Sequence, residues 1–301
     1  MKKITIIYNP ISGNGENKKI AHYVKKELSE HWKTAHIEVY ESKGSIDLYS
    51  YSKNCSEKKY DLIVALGGDG TINKVVLGIV DGGNFSSLGI IPTGTVNNFV
   101  QALEIPIDIK KSVKVLLKNN VKNIDIAKVN DKVMISSLTI GLFADVALYV
   151  TSDDKKKFGF VTYLLSFIKI KKFLRKHQLE ICFNDQKIVS NVAIVIISMT
   201  NSLGGFSTFS PHAQVNDGLM HVYIINNLSF YKIMKYLQQI VSGKKFEVSK
   251  LESFHTDSLT IKNKKMHSSK KSNTRIDGDP SEDLPIKIEV LPHYLKVMVN
   301  T

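Results

Sequence analysis

Apolar residues recur along this chain with two different textures, and the change falls near residue 123. Before it, strand-like and helix-like stretches alternate. Ile4-Thr5-Ile6-Ile7-Tyr8 is a short β-rich run, broken by the turn Asn9-Pro10-Ile11-Ser12-Gly13-Asn14-Gly15. Ile20, Val24, Leu28 and Trp32 then follow at i, i+4 spacing, which predicts a helix with one apolar face. Residues 35–40 alternate as a half-buried strand does. Residues 61–66 are apolar almost throughout, the pattern of a strand covered on both faces. That run leads into Gly67-Gly68-Asp69-Gly70 and a helix carrying Ile72, Val75, Val76 and Ile79. A further buried strand at 88–91 ends in Pro92-Thr93-Gly94-Thr95, with a helical segment after it. Alternation of this kind predicts a parallel sheet with helices on both faces.

Beyond residue 123 short strand-like runs dominate, at 124–129, 133–139, 179–183, 192–199, 220–225, 258–261 and 286–291. Two helical stretches interrupt them, near 160–173 and 231–241. Many short strands separated by turn signals predict a β-sandwich-like unit. The fold class expected is therefore α/β plus β: a parallel-sheet α/β domain over 1–125 and a β-sandwich domain over 126–301. A length of 301 residues fits two domains.

Composition narrows the functional classes. The chain is 43% hydrophobic and 23% charged, as a globular protein is and a disordered one is not. The apolar run at 192–197 is far too short to span a membrane. The apolar start is cut by Asn9-Pro10 before it reaches the length of a signal-peptide core. Cys55 and Cys182 match no metal or redox spacing, so a reducing, cytoplasmic setting is expected. Lys and Arg number 41 against 28 Asp and Glu, a net charge of +13 that favours anionic partners. Only Arg175 and Arg275 are arginines. A lysine-borne charge lacks the planar fork that reads bases, so sequence-specific nucleic-acid binding is disfavoured.

The chemistry concentrates in three loops. Gly67-Gly68-Asp69-Gly70-Thr71 joins a buried strand to a helix, where glycines let backbone N–H groups approach a phosphate and the helix terminus favours an anion. Asp69 would hold Mg²⁺ against that phosphate or simply cap the helix. The spacing is neither a Walker A loop nor G-x-G-x-x-G. Asn9-Pro10-Ile11-Ser12-Gly13 follows the first strand and Pro92-Thr93-Gly94-Thr95-Val96-Asn97-Asn98 the fourth. Each also reads as a turn or a cap, through Ser12 or Thr95. Loops after parallel strands share one sheet edge, where ligands of open α/β sheets bind. Three such loops together point to a nucleotide or phosphate site.

Asn-Pro-x-Ser-Gly, Gly-Gly-Asp-Gly-Thr-x-Asn and Gly-Thr-x-Asn, in this order, resemble the diacylglycerol kinase catalytic domain family, whose members include bacterial lipid kinases and the sphingosine and ceramide kinases. The resemblance continues through Thr200-Asn201-Ser202, the stretch 211–219 and Asp277-Gly278-Asp279. It implies an ATP site in the cleft between a Rossmann-like N-terminal domain and a β-sandwich C-terminal domain, with a lipid hydroxyl as phosphoryl acceptor. Nucleotide contacts implied by it are Asn9, Ser12, Gly13, Gly67, Gly68, Asp69, Gly70, Thr71, Asn73 and Thr95, with Ser42 the nearest match to a Thr after the second strand. It further implies a structural Mg²⁺ held by the Asp217 carboxylate and the carbonyls of Gln214 and Leu219. By its residues alone, Asn216-Asp217-Gly218 reads as a hairpin turn.

Two positions depart from the family. Asn98 stands where members typically have Asp. Asp279 stands where a Glu acts as general base, so its carboxylate is set back by one methylene, about an ångström, a displacement that can cost roughly a hundredfold in rate. The mechanism implied is in-line phosphoryl transfer with Asp69 and Asp279 in the catalytic roles. A lipid acceptor requires access to a bilayer, and the lysines at 155–157, 169–176 and 262–271 suit peripheral adsorption to an anionic surface; each patch reads equally as a solvated face. The resemblance also suggests a homodimer. The rival readings are a weak or inactive nucleotide- or lipid-binding relative, supported by Asn98 and Asp279, and an NAD-kinase-like enzyme, opposed by the Asn-Pro-x-Ser-Gly start.

Overall fold

The computed structural model describes residues 2–10, 15–95, 97–141, 177–202, 209–226, 251–264 and 274–300. Ser12, Gly13, both helical stretches expected at 160–173 and 231–241, and nearly all of the lysine-rich patches lie outside the described residues.

The N-terminal half is an α/β unit with a parallel sheet. Its strands are β1 (Lys3–Tyr8), β2 (His36–Glu41), β3 (Leu62–Gly67) and β4 (Ser87–Pro92), in the order β2-β1-β3-β4. Alternation decides which helices each strand feeds. Ile4, Ile6 and Tyr8 with Leu62, Val64 and Leu66 face a cluster built with Val24 and Leu28 of α1 (Asn17–His31). Ile7, Ile63 and Ala65 face the other way, against Leu48 of α2 (Ser45–Glu57) and Ile72, Val75, Val76 and Ile79 of α3 (Asp69–Asp81). Trp32 ends the apolar stripe of α1 as its C-cap. After α4 (Asn98–Ala102), α5 (Ile109–Lys118) covers the α1 face through Val113 and Leu116. Asp108 caps α5 by accepting the Lys111 N–H at 2.9 Å.

The C-terminal half is an antiparallel sandwich. One layer continues the first sheet through β5 (Val121–Val129), β6 (Lys132–Met134), β8 (His177–Phe183), β9 (Gln186–Val192), β13 (Ser258–Asn263) and β16 (Ile286–Met298). The other holds β7 (Ser137–Gly141), β10 (Ile194–Ser198), β11 (Met220–Ile225), β12 (Glu252–Thr256), β14 (Thr274–Ile276) and β15 (Asp279–Pro280). Between them lies a core that includes Val129, Leu138, Ile140, Ile181, Val195, Ile197, Val222 and Ile288.

Two runs that read as single strands are broken, each for a physical reason. The run at 133–139 divides into β6 and β7 because the N–H groups of Ile135, Ser136 and Ser137 turn to the carboxylate of Asp277. The run at 192–199 divides at Ala193, where the chain leaves the β8 partner and joins β7 and β11 in the other layer. The run at 286–291 is longer than its apolar pattern. It passes an irregularity between Leu291 and Leu295, then returns to the N-terminal half, where Val297 pairs in parallel with Leu88.

Candidate active site

The register of the parallel sheet sets the site. Tyr8 lies level with Glu41 and Leu66, and Gly67 with Pro92. Asn9, Ser42, Gly68 and the 93–95 loop therefore all leave the sheet at the same edge. The Ser42 N–H donates to Tyr8 O at 2.9 Å. Its buried hydroxyl has no partner among the described residues. Asn9 O accepts from the buried Asn17 side chain at 2.9 Å, which ties the first loop to α1.

The second and third loops touch. A Cβ built on Gly94 would lie 2.4 Å from the Gly68 Cα, and one on Gly68 would lie 3.0 Å from the Gly94 Cα. Only hydrogen at both positions permits that approach. Thr93 N–H donates to Gly67 O at 3.0 Å and fastens the two loops together. Asn97, buried and left-handed at φ 54°, pins the far side by donating to Gly94 O at 2.7 Å. Its Oδ1 has no partner among the described residues.

Here α3 begins, and among the described residues no side chain caps its N-terminus. The first N–H groups of such a helix point outward with the positive end of its dipole. Gly70 faces open space, and a Cβ there would meet nothing within 4 Å. Thr71 is buried and folds back over Gly67. Asp69 Oδ1 accepts from Phe99 N–H at 3.4 Å, a long bond that leans its carboxylate towards the third loop. Thr95 is exposed at the tip of that loop.

The C-terminal half meets this edge through Asp277-Gly278-Asp279. Asp277, at φ 50°, accepts three backbone N–H groups, from Ile135, Ser136 and Ser137, at 2.8–2.9 Å. The Asn73 amide on α3 donates the fourth bond at 2.9 Å. Burial of the carboxylate pushes its pKa up, to about 6, against the lowering effect of the backbone donors; neighbouring Asp279 adds to the rise. Asn73 thus spends its amide on an aspartate 204 residues away. Asp279 Oδ2 pairs with Lys74 Nζ at 2.9 Å. Sequence reasoning missed Lys74 and the clamping role of Asp277. Lys74 was signalled only by adjacency to Asn73, and Asp277 only by its place in the Asp277-Gly278-Asp279 motif.

Asp217 sits in a turn of its own. Burial alone would raise its pKa, but the His221 ring and the N–H groups of Gln214 and Leu219 outweigh it and hold the carboxyl below its ordinary range. Oδ2 faces the Gln214 N–H at 2.9 Å and His221 Nε2 at 3.1 Å, while among the described residues Oδ1 accepts only the Leu219 N–H, at 3.0 Å. The turn is anchored by Asp125, buried on β5, which accepts from Gly218 N–H and His293 N–H, each at 2.6 Å. Among the described residues no three or more His, Cys, Asp or Glu side chains are grouped to hold a metal. A cation at this turn would rely on one carboxylate and main-chain carbonyls. An ionised carboxylate with an unused lone pair on Oδ1 is a hard oxygen donor, and it fits Mg²⁺ in kind.

The chain matches two family models end to end: the diacylglycerol kinase catalytic domain over residues 3–129 and the YegS C-terminal NAD kinase beta sandwich-like domain over residues 136–299. It belongs to the diacylglycerol kinase catalytic domain family. Among relatives, it is 28% identical to a diacylglycerol kinase of Bacillus subtilis, over 99% of this chain and 97% of that one. It is 30% identical to a diacylglycerol kinase of Staphylococcus aureus over 226 residues, 74% of this chain and 70% of that one. The crystal structure of a diacylglycerol kinase from Bacillus anthracis superposes with a TM-score of 0.79 at 24% identity, covering 99% of this chain and 97% of the other, a likeness of fold. This membership makes the chain a lipid kinase by family, with an N-terminal α/β domain and a C-terminal β-sandwich-like domain.

Proposed function

We propose that the protein uses Mg-ATP to phosphorylate a lipid hydroxyl, with diacylglycerol the acceptor that its relatives' names favour. One observation carries the reading. Asn73 and Lys74, on the helix that starts in the glycine loop, each bond an aspartate of the 277–279 turn, which brings beside that helix a carboxylate whose Oδ1 has no hydrogen bond among the described residues. In this reading the N–H groups at the start of α3 and the Gly68–Gly94 cradle hold the triphosphate, with Asn9, Ser42 and Thr95 around it. Asp69 is the side chain suited to the Mg²⁺ that accompanies ATP, and that cation would offset charge on the transferring group. Asp279 accepts the acceptor proton. Asp217, with the carbonyls of Gln214 and Leu219, is suited to a second, structural Mg²⁺.

Access to the acceptor would come from adsorption. No helix among the described residues is long and apolar enough to cross a membrane, and a net charge of +13 favours an anionic surface. The decisive assay offers Mg-ATP and a panel of diacylglycerol, ceramide, sphingosine and prenol in mixed micelles. Phosphate transfer to diacylglycerol is expected, and transfer to none of the four refutes the proposal. A relative that binds nucleotide without turnover is the second reading, favoured by Asn98 and by the short Asp279. Hydrogen exchange at 67–73 slowed by ATP, in a protein that phosphorylates nothing, would establish it instead.

A further inference from the structure

Asp279 is 63% exposed, on a two-residue strand, and such a carboxylate has many rotamers open to it. One contact restricts it. Lys74 Nζ, on a side chain only 27% exposed, meets Oδ2 at 2.9 Å, and Oδ1 has no hydrogen bond among the described residues. The ammonium arrives from α3, a rigid element whose N-terminus forms part of the phosphate cradle. The turn itself is fixed two residues earlier by Asp277, through Asn73 and the N–H groups of residues 135–137. Behind it, Arg275 Nη1 donates to Gly278 O. Among the described residues, the charged groups that interact with Asp279 are Lys74 from α3 and Asp277 from its own turn.

We infer that Lys74 is the positioning residue for proton transfer: it holds Oδ2 of Asp279 so that Oδ1 faces the acceptor hydroxyl. This rests on the lipid-kinase reading above. The step balances without any further reactant. The acceptor O–H gives its proton to Oδ1 of Asp279, its oxygen electron pair forms the new O–P bond, and the bond to the bridging oxygen of ATP breaks with its electrons leaving on ADP. Lys74 keeps all its protons. It acts on the carboxylate's place and charge, and touches no reacting atom.

Two measurements decide it. In the first, kcat and the KM for ATP are followed with diacylglycerol in mixed micelles. Lys74→Met is expected to lower kcat about tenfold to a hundredfold and leave the KM for ATP unchanged. Lys74→Arg is expected to restore most of the rate. In an Asp279→Asn background Lys74→Met is expected to cost nothing further, because the residue it acts through is already gone. A raised KM with kcat kept, or losses that multiply, overturns the inference. The second needs no turnover and so separates this inference from the function it rests on. The side-chain rotamer of Asp279 is read by NMR from its three-bond χ1 couplings, its signals assigned by their loss in Asp279→Asn. One dominant rotamer is expected in the wild type and in Lys74→Arg, and averaged couplings in Lys74→Met. Unchanged couplings in Lys74→Met mean the pair does not hold Asp279, and the inference falls whatever the enzyme phosphorylates.

Discussion

Asp277 shows how one carboxylate can join two halves of a molecule. As an anion it accepts four donors, three from the break between β6 and β7 and one from α3. With a pKa of about 6 in the folded state, above the ordinary value near 4, the folded protein takes up a proton between about pH 6 and pH 4 that the unfolded chain does not hold. This group therefore adds stability as pH falls through that window and withdraws it as pH rises. Activity runs the other way, since a protonated carboxyl cannot accept from all four donors and gives up part of the clamp. The expected result is a kcat/KM that falls below about pH 6 while this group's contribution to Tm rises, and an Asp277→Asn variant lacking both features. Asn would also turn an N–H towards backbone donors, at a cost of about 1–3 kcal/mol in denaturant midpoint experiments. Gly94 is the second test at this scale. A methyl group 2.4 Å from Gly68 Cα must push the two loops apart. Gly94→Ala is expected to stay folded and to lose roughly tenfold to a hundredfold in ATP affinity by calorimetry, the range an overpacked contact of about 1–3 kcal/mol gives.

At the scale of elements, α3 does three jobs, and its residues divide among them. Its first turn meets the third loop, its second carries Asn73 and Lys74 across to the sandwich, and its remainder packs against α2. Gly78 is what lets the two helices approach. A Cβ there would fall 1.9 Å from Ser52 Oγ and 2.6 Å from Tyr49 O, the latter backbone that cannot rotate away. Ser52 already donates to Leu48 O at 2.8 Å, so its hydroxyl has a place to keep. Gly78→Ala is expected to lower stability by about 1–3 kcal/mol in thermal or denaturant unfolding. At temperatures where it is folded, ATP binding should remain close to wild type, which separates packing from the loop geometry probed by Gly94→Ala. The glycine run of residues 67–70 was legible as a candidate site because it interrupts a buried strand. Gly78, inside a helical pattern, gave no such sign.

For the whole molecule, β16 is the element that makes two domains one structure. Its first part pairs with β13 and β5 over the sandwich core, and its last part reaches β4, with Leu295 and Val297 fully buried in the N-terminal core. Heating is expected to give one cooperative transition by calorimetry. Removal of residues 292–301 should abolish it, or leave only a broad low-temperature melt, because the truncation strips apolar side chains from one core and a long strand partner from β5. Two resolved transitions in the full chain would show that the halves melt separately.

Sequence alone determined much here, and the reason is locality. Strand and helix patterns, the three glycine loops and their common edge depend on residues adjacent in the chain and on the period of their burial, so the α/β-then-β order was readable. The family motifs marked Asp279, Asp69 and the glycines as candidate site residues for the same reason. Only tertiary structure decided the rest. Asp277 finds its donors 140–142 residues away, Lys74 finds Asp279 205 residues away, and Asp125 holds a turn 93 residues on. No local pattern encodes such pairs, because each exists only after packing has set segments far apart in the chain at fixed distances. The same is true of β6 and β7, one apolar run in the sequence, which became two strands when a distant carboxylate took the N–H groups between them.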